Sequence, residues 1–186
     1  MMQNRREETA IVLDFLLNGY SYDNSPSHLK TPIVQALGIN NFTILELVPR
    51  KGIFLQPFET VYVGQSKRDK IHHINGRIPY TKLTSTAKAE LEHAVKDIVH
   101  KEEKRFIEFF NEAKPLNTRI HTLEFLPGVG KKHMMEIIEE RRDKPFSDFK
   151  DLKQRVKLIQ DPEKLIVKRI VQELEGKEKY NLFVSR

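Results

Sequence analysis

The chain has 186 residues, with 32 Lys plus Arg against 26 Asp plus Glu for a net charge of +6. A composition that is 39% hydrophobic and 31% charged supplies packed cores and excludes wholesale disorder. The absence of cysteine excludes disulfides, thiolate metal sites and cysteine nucleophiles, and it points to a cytoplasmic protein. No stretch approaches the ~20 apolar residues of a membrane helix, so no membrane partner is expected.

The N-terminal MMQNRREETAIVLDFLLNG carries acids beside its arginines and has no small-residue cleavage site, so it does not read as a secretory signal. Its periodicity predicts a helix over Arg5–Leu17, with Ile11, Val12, Phe15 and Leu16 near one face and Gly19 closing it. Tyr20–Lys30 reads as a polar loop. From residue 31 to residue 83 the rhythm becomes short extended runs. These are Pro32–Leu37, Phe42–Val48, Glu59–Gly64, Ile71–Ile74 and Arg77–Leu83, the last two flanking an Asn75-Gly76 hairpin turn. Five short strands predict a small antiparallel barrel or sandwich, with the barrel preferred because closure removes exposed edges. Thr84 opens a helical region that Ser85 or Thr86 could cap, running through Phe110 as one helix or two and stopped by Pro115. After it only Tyr180–Val184 offers a further strand. The domain boundary is expected at Lys114–Asn117, giving 1–114 with the barrel at about 31–83, and an all-helical 115–186.

Charge follows this organisation. Residues 28–82 hold eight basic and three acidic residues and residues 114–186 hold seventeen and twelve, while 1–27 and 83–113 each sum to −2. Two basic blocks of this kind steer a chain toward polyanions, of which nucleic acid is the commonest in cells.

The sharpest motif is Leu123-Glu124-Phe125-Leu126-Pro127-Gly128-Val129-Gly130-Lys131-Lys132-His133. It reads as a short helix, a tight turn on two glycines and a second helix starting at Gly130 or Lys131. The unpaired amides at that helix start would form an anion site, with Lys131 and Lys132 adding charge. This resembles a helix-hairpin-helix module through Leu123, Leu126, Pro127, Gly128, Val129, Gly130 and Ile137-Ile138, departing at Met134 where a small residue is usual. The resemblance implies backbone contact with nucleic acid. It also implies a monovalent cation held by carbonyls near Glu124, Leu126 and Val129. A weaker second copy runs from Pro145 to Leu174 without hairpin glycines, with Arg155 and Lys157 as outlying phosphate contacts. The plain alternative is that PGVG only joins two helices, as in protein-interaction modules.

In the barrel, Pro57–Lys70 is a strand and a loop whose Lys67, Arg68 and Lys70 suit a phosphate track, and Phe42, Phe54, Tyr62 and Tyr80 are candidate stacking rings. Taken over nearly its whole length, and closely in FTILELVP, RFIEFFNEA and EFLPGVGKK, the chain resembles the archaeal domain-of-unknown-function family 655. That resemblance implies an α+β protein, an OB-like five-stranded β-barrel followed by a tandem helix-hairpin-helix domain, that binds RNA. Genes of that family tend to lie beside translation and transcription genes, including a ribosomal RNA dimethyltransferase, so the resemblance implies a ribosome-related setting with ribosomal RNA or translation proteins as partners.

No chemistry is expected. His72 and His73 would point to opposite faces of a strand, and no zinc spacing occurs among the histidines. There is no Walker loop and no dinucleotide fingerprint. Asp143, Asp148 and Asp151 follow the hairpin, as a glycosylase aspartate would, but helix capping explains them, and Glu108 and Glu112 read as a solvated helix face. The expectation is a non-catalytic RNA-binding protein without metal. A protein-interaction module and a DNA-binding repair accessory are the alternatives.

Overall fold

A computed structural model describes residues 6–185. The chain is a mixed α+β protein with a curled five-stranded antiparallel sheet and five α-helices. The strands are β1 (Thr9–Leu16), β2 (Ile33–Gly38), β3 (Ile44–Pro49), β4 (Thr60–Tyr62) and β5 (Ile71–Arg77), in the order β4-β1-β2-β3-β5. The helices are α1 (Ser85–Lys101), α2 (Glu103–Glu112), α3 (Lys131–Asp143), α4 (Phe149–Arg155) and α5 (Pro162–Leu174). Two compact units divide the chain. The first holds the sequence up to Ala94 and again from Glu173, the second Val95–Gln172. Lys114–Asn117 lies within the second.

The helix expected over residues 5–17 is a strand. Arg5 lies outside the described residues, and Thr9–Leu16 forms β1, flanked by β2 and β4. Ala10, Ile11, Val12 and Leu13 are all at most 2% exposed, so both faces of the strand are covered. A continuous apolar run looks the same in sequence whether a buried strand or a helix results, and here the β-branched Ile11 and Val12 favour the strand. A bulge between Val12 and Asp14 re-aims the strand's second half.

The Asn75-Gly76 hairpin does not form either. Both residues lie inside β5, where a register shift between Glu46 and Leu47 leaves Asn75 as the extra residue and pairs Gly76, at φ 143°, with Glu46. The Asn75 amide is turned to a different task, donating to Glu46 Oε1 at 2.9 Å. Arg77 ends β5, and Pro79, which has no N–H for a ladder, leads into a 3-10 turn at Tyr80–Lys82. The strand count is therefore five because β1 replaces the one expected at 77–83. Among the described residues no ladder joins β4 to β5, so the sheet curls without closing. The first unit's core sits inside the curl: Ala10, Val12, Val34, Ala36, Leu45, Leu47, Val61 and Ile71, with Leu55 and Val63 beside them.

A polar network on the opposite face fixes the approach to α1. The Tyr20 hydroxyl donates to Glu46, which also accepts from Asn75 and, at 3.2 Å, from Lys82. Gln35 donates to the Lys82 carbonyl at 3.0 Å and accepts the Thr84 amide at 2.9 Å. Burial pushes the Glu46 carboxyl up, but the hydrogen bonds from Tyr20, Asn75 and Lys82 outweigh it and hold the group below the usual carboxylate range. Burial and the Glu46 charge push the Tyr20 hydroxyl up. Thr84, one residue before the expected caps, caps α1 by accepting the Ala87 amide at 3.0 Å. The helical region breaks in two at Glu102 (φ −102°, ψ 26°). Tyr180–Val184 is not a strand. Its amides at Leu182, Phe183 and Val184 are taken by the buried Glu173 carboxylate at 2.7–3.0 Å instead of by a neighbouring strand.

Candidate nucleic-acid interface

The second unit builds a turn between two helical segments and holds it from several sides. His121 caps a 3-10 turn at Thr122–Phe125. Its Nδ1 accepts the Leu123 amide at 3.1 Å, while Glu124 reaches back to the His121 amide at 2.9 Å. Burial first, then the Arg141 charge, pushes the His121 imidazolium pKa down, which suits a ring nitrogen that must accept. Leu123, Leu126 and Val129 are buried and anchor the turn. The Val129 amide donates to the Leu126 carbonyl at 3.0 Å across Pro127 and Gly128, with Gly128 at φ 81°. Proline second and a positive-φ glycine third is the arrangement a type II turn requires.

Gly130 then starts α3 in extended backbone (φ −99°, ψ −173°) with no side chain to cap it. The Gly130 amide is taken by His133 Nδ1 at 3.3 Å. The amides of Lys131, Lys132 and His133 belong to the first helical turn, where the helix has no carbonyls to offer them. A Cβ on Gly128 would meet nothing within 4 Å, and one on Gly130 only His133 Nδ1 at 4.0 Å, so the approach to these amides is open. Lys131 and Lys132 are exposed beside it.

The second helical pair has the opposite character. Asp148 caps α4, accepting the Asp151 amide at 2.7 Å, and Asp161 caps α5, accepting the Lys164 amide at 2.9 Å. These carboxylates occupy the places an anion would take, so Asp148 is explained as a cap, while Asp151 inside α4 accepts the Ser147 amide at 3.1 Å. Arg155 is a clamp and not an outlying contact. It donates to the carbonyls of Glu140 and Lys144, pairs with Asp151 at 3.2 Å and lies 4.6 Å over the Phe146 ring. Lys157 Nζ donates to the Gln154 carbonyl at 2.8 Å. Glu136 of α3 accepts the amides of Lys157 and Leu158, tying the α4–α5 connection to α3. Arg141 donates at 2.8 Å to the carbonyls of Phe110 and Ala113, sealing the end of α2, and desolvation pushes its pKa down.

Two depressions flank the turn. One, of about 480 Å³, is lined by Lys131, Lys132, Met135, Glu139 and Leu158. The other, of about 600 Å³, lies between Pro127–Val129 and the start of α5, with Lys153, Lys164 and Lys168 on its walls.

In the first unit, Lys67, Arg68 and Lys70 follow β4 on the connection to β5. Lys70 is engaged by Glu59, whose carboxyl that ammonium holds down. Arg50 Nε donates to the Arg68 carbonyl at 2.8 Å, and Lys67 is exposed. Phe42 is a core residue at 0% exposure and cannot stack a base, whereas Phe54 is 70% exposed. Tyr62 and Tyr80 are half-buried, Tyr62 accepting the Ser66 amide and Tyr80 lying beneath Lys88. His72 and His73 do not point apart. Their Nδ1 atoms lie 2.8 Å from each other, because a register shift pairs Ile71 and His73 with consecutive β3 residues and leaves His72 as the extra one. Among the described residues no three of His, Asp and Glu gather as a metal site. A monovalent cation at the hairpin would draw on the carbonyls of Glu124, Leu126 and Val129. Neutral backbone oxygens fit such an ion in kind, with one lone pair of Leu126 already taken by the Val129 amide.

A family model described as protein of unknown function (DUF655) matches residues 6–185. The chain belongs to the DUF655 family. An uncharacterised protein of Methanocaldococcus jannaschii is 46% identical over 181 residues, covering 96% of this chain and 80% of that one. A crystal structure of a DUF655 protein from Archaeoglobus fulgidus matches with a TM-score of 0.89 and 46% identity, covering 96% of this chain and 100% of that one.

Sequence reasoning missed three lysines of this DUF655 chain that line the depression beside the turn. Lys164 and Lys168 are one helical turn apart on α5, a spacing visible in sequence, but only the fold brings them and Lys153 to the PGVG turn. In the first unit it also missed Tyr22, 65% exposed and stacked at 4.9 Å on Tyr20 in a stretch that reads as loop, and Phe58, 43% exposed where a strand was expected to begin.

Proposed function

We propose that this DUF655 protein is a non-catalytic nucleic-acid-binding protein that grips the phosphate backbone at the start of α3, with RNA favoured over DNA. One contrast carries the reading: α4 and α5 close their N-termini with Asp148 and Asp161, while α3 begins at a bare glycine beside Lys131 and Lys132. Glycine there leaves the amides open to an oxygen anion, and the helix dipole and two ammonium groups favour that anion. The Leu126–Gly130 turn matches the helix-hairpin-helix pattern, with Gly128, Val129 and Gly130 supplying close backbone approach and Lys153, Lys164 and Lys168 extending the positive face. Lys67 and Arg68 supply a second contact surface on an OB-like sheet. Backbone contacts fix register without reading sequence, so the preference for RNA rests on the family resemblance and a ribosomal target is the first to try.

Fluorescence anisotropy on single-stranded and duplex RNA and DNA, across a salt series, tests the proposal. RNA binding that weakens steeply with salt and is lost in Lys131→Glu/Lys132→Glu is the expected result. Flat curves on all four would overturn it. A second reading has its own support: Met135 and Leu158 are each 50% exposed beside these lysines, as in an interface for an acidic protein. It predicts capture of a protein partner that survives nuclease treatment.

A further inference from the structure

The unclosed side of the sheet leaves a cavity of about 500 Å³, within the range of small-molecule sites. Its apolar lining comes from Leu45 of β3, Ile74 of β5 and Val63 just after β4. Around it stand Arg6, Arg68 and Arg77, none of which pairs with a carboxylate among the described residues. The acidic groups nearby are Glu7 and Glu8. Glu7 is spent on backbone, accepting the amides of Asn40, Asn41 and Thr43 at 2.8–3.2 Å, and it fills the space a Cβ on Gly38 would need. The Glu8 carboxylate is packed over Gly64. A second observation is independent of the charges. Thr43, 5% exposed, lines the cavity, and its Oγ1 has no hydrogen-bond partner among the described residues. Buried hydroxyls left without a partner are costly and rare, and a ligand atom would satisfy this one.

We infer that this cavity binds a phosphorylated nucleoside, its base against Leu45, Val63 and Ile74, its phosphate between Arg68 and Arg77, and a polar ligand atom on Thr43 Oγ1. Guanidinium forks take phosphate in bidentate fashion, and the apolar floor favours a flat ring over a bare inorganic anion. The same chemistry comes from a free mononucleotide or from the 5′-phosphorylated end of an RNA strand.

Calorimetric titration of the full chain with AMP, adenosine, inorganic phosphate and a 5′-phosphorylated RNA hexamer tests the site. AMP is expected to bind one-to-one, with adenosine and phosphate each about tenfold weaker or worse. Arg68→Gln and Arg77→Gln each lower AMP affinity about tenfold, at positions exposed enough to leave folding intact. Thr43→Val weakens AMP binding yet raises the melting temperature of the unliganded protein by about 2–4 °C, because it removes an unpaired buried hydroxyl. Lys131→Glu/Lys132→Glu leaves AMP binding unchanged, which separates this site from the hairpin. A hexamer tighter than AMP assigns the site to RNA ends, and a weaker one to free nucleotides; either supports it. No AMP binding at millimolar concentration, AMP binding indifferent to both arginine changes, or loss of AMP binding in the hairpin variant would overturn the inference.

Discussion

Gly128 and Gly130 sit two residues apart and are glycine for different reasons. Gly128 needs its φ of 81°, so Gly128→Ala should cost about 1–2 kcal/mol by urea denaturation although a Cβ would meet nothing within 4 Å. Gly130 is extended and uncrowded, and any residue with a backbone N–H could stand there. What its bareness preserves is access to the α3 amides. At Arg155 the prediction runs the other way. Its guanidinium holds the carbonyls of Glu140 and Lys144, so Arg155→Ala should lower stability by about 2 kcal/mol and leave RNA affinity within about twofold. A large affinity loss without a stability loss would return Arg155 to the contact surface. PGVGKK was legible in sequence because the whole signal is local. Arg155 was not, because its carbonyl partners lie eleven and fifteen positions upstream.

Among the elements, the capped 3-10 turn before the hairpin carries a pH dependence. The His121 pKa is lowered in the folded chain, so the folded state binds fewer protons than the unfolded one wherever the unfolded imidazole is charged. The stabilisation is thus complete above the unfolded value of 6.5 and is lost as pH falls from there through the folded pKa. His121→Asn keeps a capping oxygen and removes the titration. Denaturation midpoints should fall between pH 7 and pH 5 in the parent, and this component should vanish in the variant. An equal fall in both would place the dependence on other groups. The same scale shows where sequence reasoning failed. β1 was misread because its apolar run is buried on both faces, and the Asn75-Gly76 hairpin because a bulge opposite Glu46 uses the glycine inside a strand. In both cases the neighbouring strand decides, and it is distant in sequence.

At the level of the whole molecule, positive charge is concentrated in both units, on the β4–β5 connection and around the α3 turn. The +5 of each basic block was readable from the sequence, but which cations are available was not. Lys70 is held by Glu59 while Lys67 is exposed. Lys67→Glu should therefore weaken RNA binding more than Lys70→Glu, and reduce the slope of log affinity against log salt by about 1. Equal effects would mean that the Lys70–Glu59 pair opens on binding.

The account's central claim is that the open start of α3 holds a phosphate. The most direct measurement is RNA affinity and thermal stability together in Gly130→Asp, which gives α3 the cap that Asp148 and Asp161 give α4 and α5. The prediction is a protein more stable by a few tenths of a kcal/mol that has lost most of its RNA affinity, because a carboxylate now occupies the phosphate's place. Stability gained with affinity unchanged would contradict it and leave the turn as a device for packing helices.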